Sequence, residues 1–255
     1  MAESTLSIGR PELLAEVGDL LDLGRTSTDW SATDLARVEA IIKAGLRRFY
    51  IPRAQLAGPV IHHWSFLQPV ATITTTAADW EYDAPDDFGG LVVDQFTFSA
   101  ASSYAPIKGL VPLEHLLNMK AQSNDSGTPH LAALRVKAHT GAAGQRYEFV
   151  FYPIPDAIYT LSYQYRVNPN ALSASYPYPK GGMVHAETIM EACKAAAEDY
   201  LGDTMGIHHS LFQDMLQTSI EFDRSLEPTN LGNYGPHDEP VEIDRNNVTF
   251  EGVEY

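Results

Sequence analysis

The sequence predicts an α+β fold in which helices at both ends of the chain enclose a β-rich middle. Three observations predict it. Apolar residues recur at helical spacing over the first fifty residues and again from about residue 183 to residue 226. Between them, short β-branched and aromatic runs alternate with turn sequences. No segment repeats at the period of about 20–50 residues that marks a repeat array. A pair of helices of about 15–20 residues each cannot bury its own apolar stripes, so the two pairs are expected to pack together as one four-helix bundle. The middle is then an inserted antiparallel β-sandwich or small barrel. The expected boundaries are 1–58 for the first bundle half, 59–168 for the insertion, 169–227 for a linker and the second bundle half, and 228–255 for an extended C-terminal tail.

The first helix is expected in "RPELLAEVGDLLDLG", with Leu13, Leu14, Val17, Leu20 and Leu21 on one face, Pro11 in its first turn and Gly24 at its stop. The second starts at Ser31 or Thr33 as N-cap and buries Leu35, Val38, Ile41, Ile42, Gly45, Leu46 and Phe49 before Pro52 ends it. After Gly58-Pro59 the texture turns to β. Strands are predicted in "VATITT", in "LVVDQFTFS" (91–99), in "LAALRVKA" (131–138), in "RYEFVFYP" (146–153) and in "YTLSYQYRV" (159–167). Their turns are "DAPDDFGG", "NDSGTP", "TGAAGQ" and "PIPDA". A short helix is expected over 112–123. After the Pro/Tyr-rich linker "NPNALSASYPYPKGG", a third long helix buries Ile189, Met190, Cys193, Ala197 and Tyr200. A fourth buries Leu211, Phe212, Met215, Leu216, Ser219 and Phe222.

Composition bounds the function. The chain has 255 residues, 44% of them hydrophobic, enough for a packed core. One cysteine, Cys193, precludes an intrachain disulfide and suits a reducing compartment. No basic start leads into an apolar run, and no apolar stretch approaches the roughly 18 residues of a membrane span, so neither a secretory leader nor a membrane partner is expected. The formal net charge is −16. A protein that grips phosphates carries the opposite sign, so nearby DNA is repelled rather than held; solubility alone would also use this charge.

The search for chemistry finds little. His62 and His63 are adjacent, and neighbouring residues on a strand diverge, so they cannot together chelate one ion. Trp64, Phe66 and Leu67, which follow, read as an apolar plug at a junction. His208-His209 also diverge, as capping or surface residues. Asp86-Asp87 in "APDDFGG" reads as a turn rather than an acid–base pair. Cys193, on an apolar helix stripe, reads as a buried inert thiol. No nucleophile elbow, phosphate loop or CxxC occurs, and no metal or cofactor is expected. Asn247-Val248-Thr249 matches a glycosylation sequon without a leader to give it meaning. Arg37, Lys43, Arg47, Arg48 and Arg53 gather along and just after the second helix, either as a candidate subunit interface or as a solvated helix face. From Glu227 onward, seven acids oppose one base, Arg245. There Val241, Ile243, Val248, Phe250, Val253 and Tyr255 sit among acids with no evident core, and alternate well enough to add a strand to another protein's sheet.

Four motifs in order, "HHWSFLQPVATITT", "YDAPDDFGG", "FVFYPIPDAIYTLSYQYR" and "GGMVHAETIMEACKAAAED", resemble the head-to-tail adaptors of tailed bacteriophages, also called neck connectors or head-completion proteins. The resemblance spans roughly residues 10–230; Ala84 stands where the common turn has leucine. It implies a helical bundle carrying a β insertion and a structural virion protein without enzymatic activity. It also implies a homo-oligomeric ring, usually of twelve copies, at the neck beneath the portal protein. Such a ring extends the DNA channel, lets genomic DNA pass without specific binding, and offers a platform to a downstream neck or tail protein. The C-terminal tail would be its portal-docking arm. Two other readings compete. One is a β-sandwich module binding carbohydrate or peptide through tyrosines around 147–178. The other is a hydrolase built on His62, His63 or Asp86-Asp87, which requires those groups to converge.

Overall fold

The computed structural model describes residues 4–52, 62–99, 103–137, 144–202 and 206–226. It is α+β. The helices among these residues are α1 (Arg10–Leu20), α2 (Ala32–Tyr50), α3 (Leu113–Gln122), α4 (Ala186–Leu201) and α5 (Ile207–Ser225). The strands are β1 (Val70–Thr74), β2 (Glu81–Asp83), β3 (Phe88–Leu91), β4 (Gln95–Phe98) and β5 (Ile107–Lys108). They continue with β6 (Ser126–Gly127), β7 (Leu131–Lys137), β8 (Arg146–Tyr152), β9 (Ile154–Pro155) and β10 (Thr160–Val167).

Local chemistry sets the helix ends. Pro11 sits in the first turn of α1, and the Glu12 carboxylate reaches back to the Gly9 N–H at 2.9 Å. At α2 the Ser31 hydroxyl accepts from the Asp34 N–H at 3.1 Å, so Ser31 rather than Thr33 is the cap. Helices α1, α2, α4 and α5 contribute to one apolar cluster with Val17, Ile42, Phe49, Ile189, Phe212 and Leu216 at its centre. Helix α4 is packed on most sides, and its alanines permit this: Ala192, Ala195 and Ala197 are fully buried. Gly45 on α2 meets it so closely that a methyl group there would lie 2.6 Å from Cys193 Cα.

The β region forms two antiparallel sheets, β1-β10-β4-β5 with β3 also on β10, and β2-β8-β7, plus a two-residue parallel pair of β6 with β9. Strand β10 runs through the first sheet, pairing Val70 with Gln164 and Ile73 with Leu161 on one side. Its alternation of buried and half-buried residues is that of a sheet with one covered face. Rings from both sheets interlock: Phe96 lies edge-on to Phe149 and Phe151 at 5.2 Å, and Phe149 edge-on to Tyr163 at 5.1 Å. Strand β8 is covered on both faces, because Val150 and Tyr152 point the other way and pack with Leu116 of α3.

Several expectations fail. Tyr200, Leu211 and Phe222 are exposed, and Leu20, Leu21 and Met215 only partly buried. The inward stripe of α5 is Phe212, Leu216, Ser219, Ile220 and Asp223, rotated from the predicted one. The run 91–99 is not one strand. Val92 still donates to Gln164 O, but the chain turns at Val93-Asp94 before β4 resumes on β10. Strand β2 was not foreseen, nor were the two-residue strands β5, β6 and β9.

Candidate functional site: the crossing between helices and sheets

Residues His62–Gln68 lead into β1, and they are tied down on all sides. The Trp64 ring is buried and stacks on Phe49 of α2 with centroids 4.7 Å apart, while its Nε1 donates to Phe49 O at 3.0 Å. His185, at the entry to α4, sits among Trp64, Phe66, Phe49 and Phe222 with ring centroids 5.2–6.1 Å away. Leu67 is buried in the helical core, and Phe66 is half-buried against it. The turn Ser65–Leu67 is a single 3-10 turn closed by Leu67 N–H to Trp64 O.

The polar centre is Asp223 on α5. Its buried carboxylate accepts from Ser65 N–H at 3.0 Å and from Ser65 Oγ–H at 2.6 Å, and lies 3.0 Å from His62 Nε2. One carboxylate from the last helix thus anchors the chain as it leaves the helices for the sheets. Burial pushes the His185 imidazole below its ordinary pKa, with the nearby Asp223 opposing. Burial, then the nearby Arg166 charge, likewise pushes His63 down.

A pair of acids serves α5 at its other end. Glu198 of α4 is buried and accepts from the His208 and His209 N–H groups at 3.1 and 3.0 Å, capping the helix from outside its own segment. Glu191 Oε2 lies 2.6 Å from His208 Nδ1. A side chain at Gly206 would lie 2.3 Å from the Glu198 carboxyl carbon, so glycine leaves room for this cap.

The residues named for other chemistry do not converge. Asp86 is exposed and pairs with Arg146 at 3.1 Å; Asp87 accepts from Tyr165 O–H at 3.1 Å, and Phe88 N–H closes the turn on Pro85 O. His62 and His63 face a cleft of about 420 Å³ between α2 and β10, which the two aspartates do not line. Tyr163 and Tyr165 are buried in the β core, not displayed as a stacking surface, while Tyr176 and Tyr178 are exposed. The Cys193 thiol is fully buried, which pushes its pKa up to about 12. Among the described residues, no group of three or more His, Cys, Asp or Glu side chains converges as a metal site requires. No described helix is long and apolar enough to cross a membrane.

Of the basic group, Arg37 pairs with Asp34 at 3.2 Å and Arg48 with Asp199 at 2.5 Å, while Lys43 and Arg47 are exposed. Arg53 lies outside the described residues, as do Val241, Ile243, Val248, Phe250, Val253 and Tyr255. The sequence reading missed Asp223, Glu191 and Glu198. The signal available for Asp223 was its place four residues after Ser219 and seven after Leu216, on an apolar stripe where a charge demands a partner.

The buried polar groups here hold α4 to α5, and α5 to the turn that leads into β1. The chain matches the model of the SU10 adaptor protein family over residues 11–232, most of its length, and it belongs to that family. It is therefore an adaptor-type structural protein of a bacteriophage and a virion component. A search of curated proteins found no match.

Proposed function

We propose that this protein is a head-to-tail adaptor. Twelve copies form a ring beneath the portal, extend the DNA channel and present a platform to the next neck or tail protein. Family membership over residues 11–232 is the observation that carries this reading. The helices of 1–58 and 169–227 serve as a bundle that mounts each copy in the ring, and the insertion 59–168 projects from it. Trp64, Phe66 and Leu67, with Asp223 beneath them, make the junction stiff enough to transmit position from one part to the other. The net charge of −16 gives a channel wall that does not retain the genome. The tail 228–255 docks on the portal by strand addition through Val241, Ile243, Val248, Phe250, Val253 and Tyr255.

Electron microscopy of portal rings mixed with the full chain, or with a chain ending at residue 227, tests this. The full chain should add an annular layer and the shortened chain should not. Equal layers from both would remove the arm from the account. No layer from folded full-length protein would remove the portal as its partner.

A further inference from the structure

Helix α5 carries two apolar faces, and the described part of its own chain covers one of them. Phe212, Leu216 and Ile220 point into the core. Ile207, Leu211 and Phe222 lie on the other side, 69%, 38% and 41% exposed. An amphipathic helix on a lone soluble chain needs one apolar stripe; a second one marks a surface that another body covers. Exposed Asp214 and Glu221, two helical turns apart, run along one edge of this outer stripe.

The outer face of α2 is its complement. Ala36, Ala40, Lys43 and Arg47 recur at helical spacing and are all exposed, with Ile51 one residue beyond the helix. The alanines make the face low, so another helix can approach closely. Lys43 and Arg47 have no carboxylate partner among the described residues, unlike Arg37 and Arg48. Helix α4 packs against both α2 and α5. Arg47 and Ile51 also border a cleft of about 300 Å³ toward His209 and Gln213 of α5, whereas Ile207, Leu211 and Phe222 do not line it. One copy therefore offers an acidic, apolar helix face and a basic, small-residue one.

We infer that the outer face of α5 in one copy seats on the outer face of α2 in the next. With the two helices antiparallel, Phe222 covers Ala40 and Leu211 meets Ile51, while Asp214 meets Arg47 and Glu221 meets Lys43, the spacings along the two helices matching at about 1.5 Å per residue. The contact joins two different patches, the type that closes into rings when its rotation allows. The apolar stripe supplies the burial, and the charges select the partner face and its register. The inference rests on the ring proposed above and names the surface that builds it.

Two charge-reversed full-length proteins test it, Lys43→Glu/Arg47→Glu and Asp214→Lys/Glu221→Lys, with folding checked by circular dichroism. Assembly is followed by sedimentation velocity for each alone and for the two mixed, with and without portal rings from the same particle. Each alone should need at least about tenfold more protein than the unaltered chain to assemble. Mixed in equal amounts, they should assemble where the unaltered chain does, because every junction of an alternating ring then joins opposite charges. If both variants assemble normally, or the mixture does no better than its parts, this surface is wrong while the ring stands. If the unaltered chain assembles in neither series, the ring falls and this surface with it. Maleimide labelling of a Leu211→Cys chain distinguishes the occupants, since Cys193 is fully buried. Fast labelling of the monomer and protection on assembly is the expected result. Slow labelling of the monomer that becomes fast on deleting residues 227–255 would assign the face to the chain's own tail and overturn the inference.

Discussion

Replacing Asp223 by alanine tests the anchoring of the crossing. The substitution removes the acceptor of two hydrogen bonds from Ser65, at 3.0 and 2.6 Å, and the carboxylate that lies 3.0 Å from His62 Nε2. Water does not reach the site: the Asp223 and His62 side chains are 1% and 4% exposed. Removing an acceptor so that buried donors are left without a partner costs about 1–3 kcal/mol for each donor. Asp223→Asn keeps the shape and one acceptor oxygen, so its cost should be about 1–2 kcal/mol. Urea unfolding measures both, as a fall in midpoint at constant slope. Exposed Asp214→Ala should stay within about 0.5 kcal/mol of the unaltered chain. Adding Ser65→Ala to Asp223→Ala should cost less than the sum of the two, with a coupling of about 0.5–3 kcal/mol. A loss below about 1 kcal/mol for Asp223→Ala, or strict additivity with Ser65→Ala, would refute the anchor.

Four further outcomes follow from the same geometry. Trp64→Ala should cost about 3–5 kcal/mol in urea unfolding, and Trp64→Phe much less, because the latter keeps the stacking on Phe49 and loses only the Nε1–H bond. Gly45→Ala should destabilise by about 1–3 kcal/mol or more, since backbone atoms of α4 lie 2.6–2.8 Å from the new methyl and α2 must move away; a neutral result in thermal melts would contradict that packing. Stability should fall as pH drops below about 6.5, and His185→Phe should flatten that slope in urea titrations at several pH values. The sign follows from the depressed pKa: His185 binds fewer protons folded than unfolded, so acid favours the unfolded chain from the unfolded pKa down to the folded one. Cys193 should resist alkylation in native protein and react promptly in denaturant, as read by mass spectrometry.

Where period and position agreed, the fold was legible. The stripe of α2 from Val38 to Phe49 follows directly from spacing, while side-chain chemistry left Ser31 and Thr33 as caps and the Asp34 N–H decides for Ser31. Helix α5 misled because it carries two apolar stripes. Nothing local decides between Leu211 and Phe212; the alanine-rich surface of α4 does, and that is a tertiary fact. Strand β2 has three residues, too few for alternation to show. The break between β3 and β4 hid inside a run of good strand formers, Leu91-Val92-Val93. The aromatic side of the crossing was visible in the sequence as Trp64-Ser65-Phe66-Leu67. Its polar side was not, because the partner of Ser65 lies 158 residues away in the sequence, on α5.

In the proposed function, copies of this chain stand as a ring between head and tail. Imaging the intact particle at the head–tail junction by cryo-electron microscopy tests it most directly. The expected result is a ring of twelve densities beneath the portal, each accommodating the helices and two sheets described here, with the Trp64–Asp223 crossing in every copy. A junction whose density admits no copy of this fold, in particles that demonstrably contain the protein, would contradict it.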